Sequence, residues 1–260
     1  MKRVDLIQVE HNVKIGDKCP YFEPNVTEDS VFYVDGEPIG FYMTKMPEKM
    51  CKLADLANLE FMSKNVVKEG RLGAGSKSVS GNKERPTMEG CSTILGAVPP
   101  KPYIGRPFAS ISSRHNDKKS QKFIKAMLLL VLESEKLIKQ KLPKQHEKQV
   151  KIFEDVPKKW RFGSLFTSSV SNLNVPVNFH IDKANIEGCV NVIICKKLNS
   201  KGGDLHIPDY NATIGQQDNS ILVYPAWRNI HGVTPIIPTF EGGYRNSLVF
   251  YPLKAFKTLE

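Results

Sequence analysis

Long apolar runs are absent from this 260-residue sequence, and their absence limits the cellular locations that we expect for the protein. No stretch approaches the roughly 18 apolar residues that a membrane-spanning helix needs. The opening residues, Met1-Lys2-Arg3-Val4-Asp5, contain no apolar segment of the kind found in secretory signal peptides. We therefore expect an intracellular, cytoplasmic protein without a membrane partner.

Cysteine is also scarce. The chain has five cysteines, an odd number, and no two of them form a Cys-x-x-Cys pair. This pattern argues against a disulfide framework and against a typical zinc site. Reduced thiols agree with an intracellular location.

Acidic residues are too few to balance the basic ones. The 27 Asp and Glu residues stand against 37 Lys and Arg, which gives a formal net charge of +10. A chain of this sign favours an acidic partner, and nucleic acid is the first candidate. The excess is concentrated in residues 64–90, a glycine-rich segment without hydrophobic periodicity, and in residues 118–151. Taken alone, the second segment is better explained as a solvated helix face.

The first half of the sequence combines a hairpin with helical patterns. Residues 30–43 predict two strands that turn at Asp35-Gly36. Apolar spacing predicts a helix over residues 47–63 and a longer one over 117–142, which ends before a proline, with room for a short helix after it. Residues 91–113 are interrupted by prolines, and we expect them to wrap the core.

The second half is rich in strands. The expected strands are Ser164–Val170, Val177–Ile181, Gly188–Cys195, Asp204–Ile207, Ser220–Tyr224, Asn229–Ile236 and Tyr244–Tyr251. Strands at this spacing without intervening helices predict an α+β fold whose C-terminal half is a double-stranded β-helix, or jelly roll, backed by N-terminal helices. We expect residues 1–115 to wrap this core and residues 116–260 to supply the long supporting helix and the jelly roll, as one integrated domain.

The most informative motif is His180-Ile181-Asp182, followed by His231 and Arg245. Two imidazoles and one carboxylate can occupy one face of an octahedral Fe(II), leaving three positions for an oxo-acid cosubstrate and O2. A strand places His180 and Asp182 on one face because its side chains alternate. Arg245 offers a planar fork of donors for the distal carboxylate of 2-oxoglutarate, and Ser247 shares its face. The alternative is a set of unrelated polar residues at strand ends.

A second His-x-Asp tripeptide, His115-Asn116-Asp117, is a poor candidate for the same chemistry. It is followed directly by Lys118, Lys119 and a long helical pattern, so its Asn or Asp is better explained as a helix N-cap. The start of a helix does not present side chains i and i+2 to one ion.

Residues 178–252 carry further motifs around the candidate ligands. They are His180-x-Asp182-x-x-Asn185, Gly202-Gly203-Asp204-Leu205-His206-Ile207-Pro208, His231-Gly232-Val233-Thr234-Pro235, and Arg245-Asn246-Ser247 ending in Phe250-Tyr251. In these motifs the chain resembles the ten-eleven-translocation/J-binding-protein (TET/JBP) family of 2-oxoglutarate/Fe(II) dioxygenases, in its compact, phage-like form. Members of that family hydroxylate methyl groups on DNA bases.

The resemblance implies a role for each matching residue. His180, Asp182 and His231 would hold the iron, and Arg245 and Ser247 would bind the cosubstrate carboxylate. Asn185 matches a position at which members place a polar residue against the flipped base, although it could equally be a turn residue. Tyr251 matches an aromatic residue that stacks on the base, although it could equally pack in the core.

One departure leaves the substrate base open. Family members that oxidise 5-methylcytosine carry a His two residues beyond the stacking aromatic residue, and this chain has Leu253 there. The resemblance therefore implies hydroxylation of a 5-methylpyrimidine, either 5-methylcytosine or thymine, in double-stranded DNA. Two alternatives remain. One is a hydroxylase of a protein side chain, free nucleotide or small metabolite, and the other is a jelly-roll binding module without activity.

The basic segment 64–90 is the first candidate for gripping DNA. Lys77, Lys83 and Arg85 are expected to contact phosphates around a flipped base, because such contacts position a duplex without reading its sequence. The alternative is a disordered, solubilising insert.

Overall fold

The computed structural model describes residues 1–71, 90–175 and 177–257 of the chain. Lys77, Lys83 and Arg85 lie outside the described residues, so their contact with DNA stays a prediction. The described strands are β1 Lys2–Asp5, β2 Ser30–Val34, β3 Glu37–Met43, β4 Glu69–Gly70, β5 Cys91–Val98, β6 Ser110–Ile111, β7 Ser168–Leu173, β8 Val177–His180, β9 Asn191–Leu198, β10 Ser200–Gly202, β11 Leu205–Ile207, β12 Ala212–Ile214, β13 Ser220–Tyr224, β14 His231–Val233, β15 Ile236–Pro238 and β16 Tyr244–Tyr251.

Among the described residues, ten strands form a main sheet and four form a minor sheet. The main sheet has the order β1-β2-β3-β13-β9-β16-β7-β5-β4, with β6 paired to β5. Its neighbours are antiparallel except for β1 and β2, which run parallel. The minor sheet has the order β12-β11-β14-β8 and is antiparallel throughout. The two sheets enclose a cavity between them, as in a jelly roll.

Three α-helices are described: α1 Glu48–Met62, α2 Gln121–Lys141 and α3 Pro143–Ile152. The apolar faces of α1 and α2, with residues such as Phe61 and Phe123, share one hydrophobic cluster with Leu248 and Phe250 of β16. The residue between those two strand positions points the other way, because strand side chains alternate. Val249 therefore faces the cavity between the sheets. Because the helices cover one face of the main sheet, the other face is available to line the cavity.

Most of the expected local elements are confirmed. The hairpin turns at Asp35 and Gly36, both with positive φ (52° and 79°), which Asp and Gly tolerate better than most residues. The long helix falls within the expected range, and the strands Ser220–Tyr224 and Tyr244–Tyr251 have the expected bounds. The side chain of Asp117 accepts from Lys119 N at 2.9 Å, so the second His-x-Asp tripeptide does cap a helical segment.

Several expectations about strands are wrong. The single strand expected over Asn229–Ile236 is two strands, β14 and β15, which lie in different sheets, and the strand expected over Gly188–Cys195 runs from Asn191 to Leu198. The strand expected to begin at Ser164 begins instead at Ser168, because Glu135 Oε1 on α2 accepts from the backbone N–H groups of Ser164 and Leu165 at 2.6 and 2.9 Å. Those two groups are thereby withdrawn from strand pairing. Residues 91–113 do not simply wrap the core, because β5 at their start pairs with β7 inside the main sheet. The run Cys91–Val98 contains no proline, and the prolines follow it.

The main sheet draws strands from both halves of the chain. Strands β1 to β6 come from the first 115 residues, and β7, β9, β13 and β16 come from the rest. Shared backbone pairing of this kind supports the proposal that residues 1–115 and 116–260 form one integrated domain. Among the described residues, no helix combines the length and apolar character that crossing a bilayer requires.

Candidate active site

The two candidate imidazole ligands lie opposite each other on neighbouring strands of the minor sheet. His180 ends β8 and pairs in register with His231, the first residue of β14. Their ring centroids are 4.4 Å apart. Asp182 follows β8, and its backbone N–H donates to Ala226 O at 3.1 Å. One ligand atom from each of His180, Asp182 and His231 lies within 4.8 Å of the others, a spacing that can hold a metal ion.

Both imidazoles are oriented as metal ligands require. Nδ1 of His180 lies 2.9 Å from Asn178 O, and Nδ1 of His231 lies 3.0 Å from Asn229 O. A carbonyl oxygen can only accept, so each Nδ1 carries a proton and each Nε2 is left as the ring atom that can face a metal ion. Burial, followed by the charge of His180, lowers the pKa of His231 to about 4, so this ring is neutral at neutral pH. The donor set fits a divalent ion such as Fe(II).

Two buried amides hold the carboxylate of the set. Asn185 Nδ2 and Asn191 Nδ2 both donate to Asp182 Oδ2, at 3.2 and 3.1 Å, while Asp182 Oδ1 lies 3.3 Å from His180 Nε2. Burial alone would raise the pKa of the Asp182 carboxyl. The hydrogen bond from His180, the charges of the two histidines and the Asn191 amide outweigh burial and hold that pKa below its usual value. The carboxylate is therefore ionised, with one oxygen occupied by amides and the other turned towards His180.

We expect Asn191→Ala to weaken metal binding about 10- to 100-fold, the range found when groups that orient metal ligands are removed. The substitution deletes one donor to Asp182 Oδ2 and the acceptor that Asn185 Nδ2 uses at 2.9 Å. Anaerobic Co(II) or Fe(II) titration of the metal-free protein measures the effect. Asn172→Ala is the matched control, because Asn172 lines the same cavity and makes no hydrogen bond to Asp182 among those described. Equal losses in the two variants would contradict a positioning role for Asn191.

A cavity of about 240 Å³ opens beside the three candidate ligands. All seven residues that the sequence singles out for metal, cosubstrate and substrate line it: His180, Asp182, Asn185, His231, Arg245, Ser247 and Tyr251. They come from both sheets and from the segment after β8. Its remaining walls are mainly apolar, with Val170, Ile193 and Val249 from the main sheet and Val177 from the minor sheet.

Arg245 is fixed at one end of the cavity. Its Nη2 donates to Gln216 Oε1, and its backbone N–H donates to Asn174 Oδ1 at 2.9 Å. Gln216 is itself anchored, because its backbone N–H donates to Asp204 Oδ1 at 2.8 Å. Two residues further along β16, the Ser247 side chain shares the Arg245 face and lines the same cavity. This end of the cavity therefore presents a fixed cation with a hydroxyl beside it.

Two residues that line the cavity carry a buried nitrogen or phenol donor without a hydrogen-bond partner among the described residues. These donors are Arg245 Nε and the Tyr224 hydroxyl, from residues that are 4% and 0% exposed. Buried donors are nearly always paired in folded proteins. Burial raises the pKa of Tyr224 well above its usual value, so the phenol keeps its proton and remains a donor. A ligand with several acceptor oxygens, such as a dicarboxylate, fits these two donors.

Tyr251, Asn185 and Leu253 also line the cavity. Tyr251 is half-buried, and burial raises its pKa to about 12, so its ring carries a neutral phenol. The Asn185 amide group gives both protons to Asp182 and Asn191, so its Oδ1 is the atom that can accept from a substrate. Leu253 places an apolar side chain in the cavity.

Sequence reasoning did not single out Asn191, Gln216, Tyr224 or Arg71, although each contributes to the site. Asn191 follows Asp182 closely and begins a strand, so alternation along β9 could have indicated that it faces inward. No comparable signal exists for Gln216, which lies in a loop, because its contact with Arg245 depends on how the strands are paired.

No protein-family model matches the sequence, and no curated protein is similar to it. Solved structures are similar in fold. "NgTET1 in complex with 5mC DNA" has a TM-score of 0.59 at 16% identity, over 88% of this chain and 78% of that one. JOX2 in complex with 2OG, Fe and JA has a TM-score of 0.49 at 12% identity, over 83% of this chain and 68% of that one. A prolyl hydroxylase from Trichoplax adhaerens has a TM-score of 0.46 at 14% identity, over 85% and 86%.

The likeness to NgTET1 establishes the fold alone. The chain has the α+β fold with the jelly roll found in 2-oxoglutarate oxygenases, as expected from its strands and helices.

Proposed function

We propose that the chain is an Fe(II)- and 2-oxoglutarate-dependent dioxygenase that hydroxylates the 5-methyl group of a pyrimidine in DNA. The observation that carries this proposal is the gathering of the His-Asp-His set, Arg245, Ser247 and Tyr251 around one cavity. The tripeptide His180-Ile181-Asp182, the strand of His231 and the strand of Arg245 are three separate segments of the chain. A jelly roll that had lost its activity would have no use for a buried cation and hydroxyl in the same cavity as a candidate metal site.

His180, Asp182 and His231 would hold the iron. When bound, Fe(II) supplies the oxidising chemistry by which O2 converts 2-oxoglutarate to succinate and CO2 and places its second oxygen atom in a substrate C–H bond. The chain's own contribution is orientation. The backbone carbonyls of Asn178 and Asn229 fix the two imidazole tautomers. The amides of Asn185 and Asn191 fix the carboxylate.

Arg245 and Ser247 would bind the distal carboxylate of 2-oxoglutarate. A guanidinium presents parallel donors that match a carboxylate, and Gln216 holds one of its terminal nitrogens so that the fork cannot rotate freely. The Tyr224 hydroxyl is a further buried donor at this cavity. The apolar walls at Val170, Ile193 and Val249 exclude water, which strengthens these interactions.

Tyr251 and Asn185 would receive the base. In duplex DNA the 5-methyl group lies in the major groove, out of reach of a buried site, so the nucleotide must flip out at a cost of a few kcal/mol. Stacking on the Tyr251 ring would return about 1–3 kcal/mol. Asn185 Oδ1 can accept the N4 amino proton of cytosine or the N3 proton of thymine. Both pyrimidines therefore remain substrates to test.

Two further observations support DNA as the substrate. The chain carries a formal net charge of +10, which attracts a polyanion. NgTET1, whose fold is similar, is bound to 5mC DNA in its solved structure.

The test is mass spectrometry of nucleosides after incubating methylcytosine DNA, thymine-only DNA or RNA with the protein, Fe(II), ascorbate and 2-oxoglutarate. We expect a hydroxymethylpyrimidine from at least one DNA and a matching excess of succinate. Asp182→Ala, which removes one proposed ligand, is the control for background oxidation. Equal succinate from both DNAs and from RNA, without a modified nucleoside, would contradict a DNA substrate and favour a protein side chain, free nucleotide or small metabolite instead.

A further inference from the structure

A second cavity, of about 310 Å³, lies next to the active site at the β5 end of the main sheet. We call it the arginine cavity. Its polar lining consists mainly of Ser92, Arg106, Ser110, Ser112, Ser113 and Arg114. Glu69 is the acidic residue among its lining residues, and its side chain is 72% exposed. The lining holds two guanidinium groups and, with Thr93, five hydroxyls. The Ser112 and Thr93 hydroxyls donate to the backbone carbonyls of Ile94 and Val67, so the two guanidinium groups are the main donors that an anion could use.

The arginine cavity is connected to the active site through Arg71. Arg71 lines the active-site cavity and lies close enough to Tyr251 to lower the pKa of its phenol, although burial has the larger effect and raises it. Its Nη1 donates to Ser92 Oγ at 3.5 Å, and Ser92 lines the arginine cavity. Ser92 also pairs in register with Asn172, a residue of the active-site wall. A chain of cationic and polar groups thus leads from the proposed base site into the arginine cavity.

Both arginines of this cavity are anchored by one bond and keep further donors. Arg106 Nε donates to Pro99 O at 3.0 Å. Arg114 Nη2 donates to Glu69 Oε1 at 3.0 Å, while Arg114 Nε is buried and has no hydrogen-bond partner among the described residues. A buried guanidinium nitrogen without a partner indicates an acceptor that binds there.

Two aromatic side chains beside this cavity are largely exposed to solvent. Tyr103 and Phe108 are 80% and 78% exposed, the two most exposed aromatic side chains in the described part of the chain. They flank Arg106 in the loop between β5 and β6, which is closed by backbone hydrogen bonds between Lys101 and Arg106 at 2.6 and 3.2 Å. Exposed rings next to arginines are the combination that proteins use to bind nucleic acid strands, since bases stack on rings and phosphates pair with guanidinium groups.

We propose that the arginine cavity binds a backbone phosphate of the DNA strand that carries the target base, and that Tyr103 and Phe108 contact bases further along the same strand. The proposal rests on the proposed function and deepens it by assigning the path of the substrate strand. The strand leaves the active site past Arg71, places a phosphate between Arg106 and Arg114, and passes over the loop of residues 99–109. This path lies entirely within described residues and does not use the basic segment that includes Lys77.

The experiment is fluorescence anisotropy of a labelled single-stranded DNA with one 5-methylcytosine, and of its duplex, over a series of salt concentrations. The variants are Arg106→Gln with Arg114→Gln, and Tyr103→Ala and Phe108→Ala singly. For the arginine pair we expect weaker binding and a shallower salt dependence. The slope should fall by about 0.7 for each phosphate released on single-stranded DNA and by about 0.9 on the duplex. For each ring removed we expect single-stranded DNA to bind about ten-fold more weakly.

Matched variants separate this path from a general effect of charge or surface. Lys2→Gln with Arg3→Gln removes the same two charges from β1, at the opposite edge of the main sheet. Phe240→Ala removes a ring that is 71% exposed near the end of β15. The thermal unfolding midpoint of every variant reports whether it is folded.

The proposal is supported if both the arginine pair and the two ring variants lose affinity while the matched variants keep it. It is overturned if either set behaves like its matched control, as it would if the rings bind a protein instead. Anaerobic binding of 2-oxoglutarate to the Fe(II)-loaded wild-type protein, followed by its visible charge-transfer absorption, tests the proposed function separately. A wild-type protein that binds DNA through these residues but does not bind 2-oxoglutarate would contradict the proposed function and leave the strand path standing.

Discussion

Asp182→Ala is expected to abolish turnover while the fold is retained. Asp182 is the only carboxylate of the proposed ligand set, and its loss leaves two neutral imidazoles to hold a divalent ion. His180→Ala and His231→Ala should have the same result, since each removes one of three protein ligands. Succinate formation from 2-oxoglutarate measures turnover, anaerobic Co(II) titration measures metal binding, and circular dichroism reports the fold.

The chain contains its own control for this experiment. Asp117 belongs to the second His-x-Asp tripeptide and caps a helical segment instead of facing a second imidazole. Asp117→Ala should cost about 1 kcal/mol of stability through the loss of this cap and leave metal binding and turnover in place. Wild-type turnover in Asp182→Ala would contradict the iron site, and loss of metal binding in Asp117→Ala would show that the assay responds to stability.

Arg245→Lys is expected to raise the KM for 2-oxoglutarate about 10- to 100-fold with a smaller change in kcat. Lysine keeps the charge but replaces a planar fork with a single ammonium, and the loss of a hydrogen bond to a charged group costs roughly 1.5–3 kcal/mol. Steady-state succinate formation at varied 2-oxoglutarate measures both constants. Arg161→Lys is the control, because Arg161 is partly buried and its guanidinium donates only to the backbone carbonyls of Phe153 and Val156 among the hydrogen bonds described.

Gln216→Glu tests the same hydrogen bond between Arg245 and Gln216 by changing its acceptor. A carboxylate at residue 216 would pair with Arg245 and compete with the cosubstrate, so we expect the KM for 2-oxoglutarate to rise here as well. An unchanged KM in Arg245→Lys would mean that another residue binds the distal carboxylate. An unchanged KM in Gln216→Glu alone would mean that Gln216 does not orient Arg245 during binding.

The parts of the site that sequence reasoning anticipated are those governed by local geometry. His180 and Asp182 are two residues apart next to a strand, and Arg245, Ser247 and Tyr251 alternate along one strand. A period of two is a property of the strand itself, so the face that each residue takes follows from its spacing. Local rules of this kind also anticipated the hairpin turn and the long helix.

The strand predictions were wrong where a residue distant in sequence forms hydrogen bonds with the backbone of the segment. The strand expected from Ser164 starts four residues later, because Glu135 on α2 accepts the backbone N–H groups of Ser164 and Leu165. The expectation for residues 91–113 gave too much weight to their prolines and missed that Cys91–Val98 pairs with β7. Pairing partners so far apart in the chain leave no periodic signal near either one.

Residue order alone therefore decided which side chains share a strand face. Those shared faces in turn decided which residues make up the candidate iron and cosubstrate sites. Only the packing of the sheets decided that these faces meet in one cavity, that Gln216 fixes Arg245, that Asn191 fixes Asp182, and that Arg106 and Arg114 line a second cavity. The physical reason is that alternation acts over neighbouring residues, whereas strand register and sheet stacking join residues tens of positions apart.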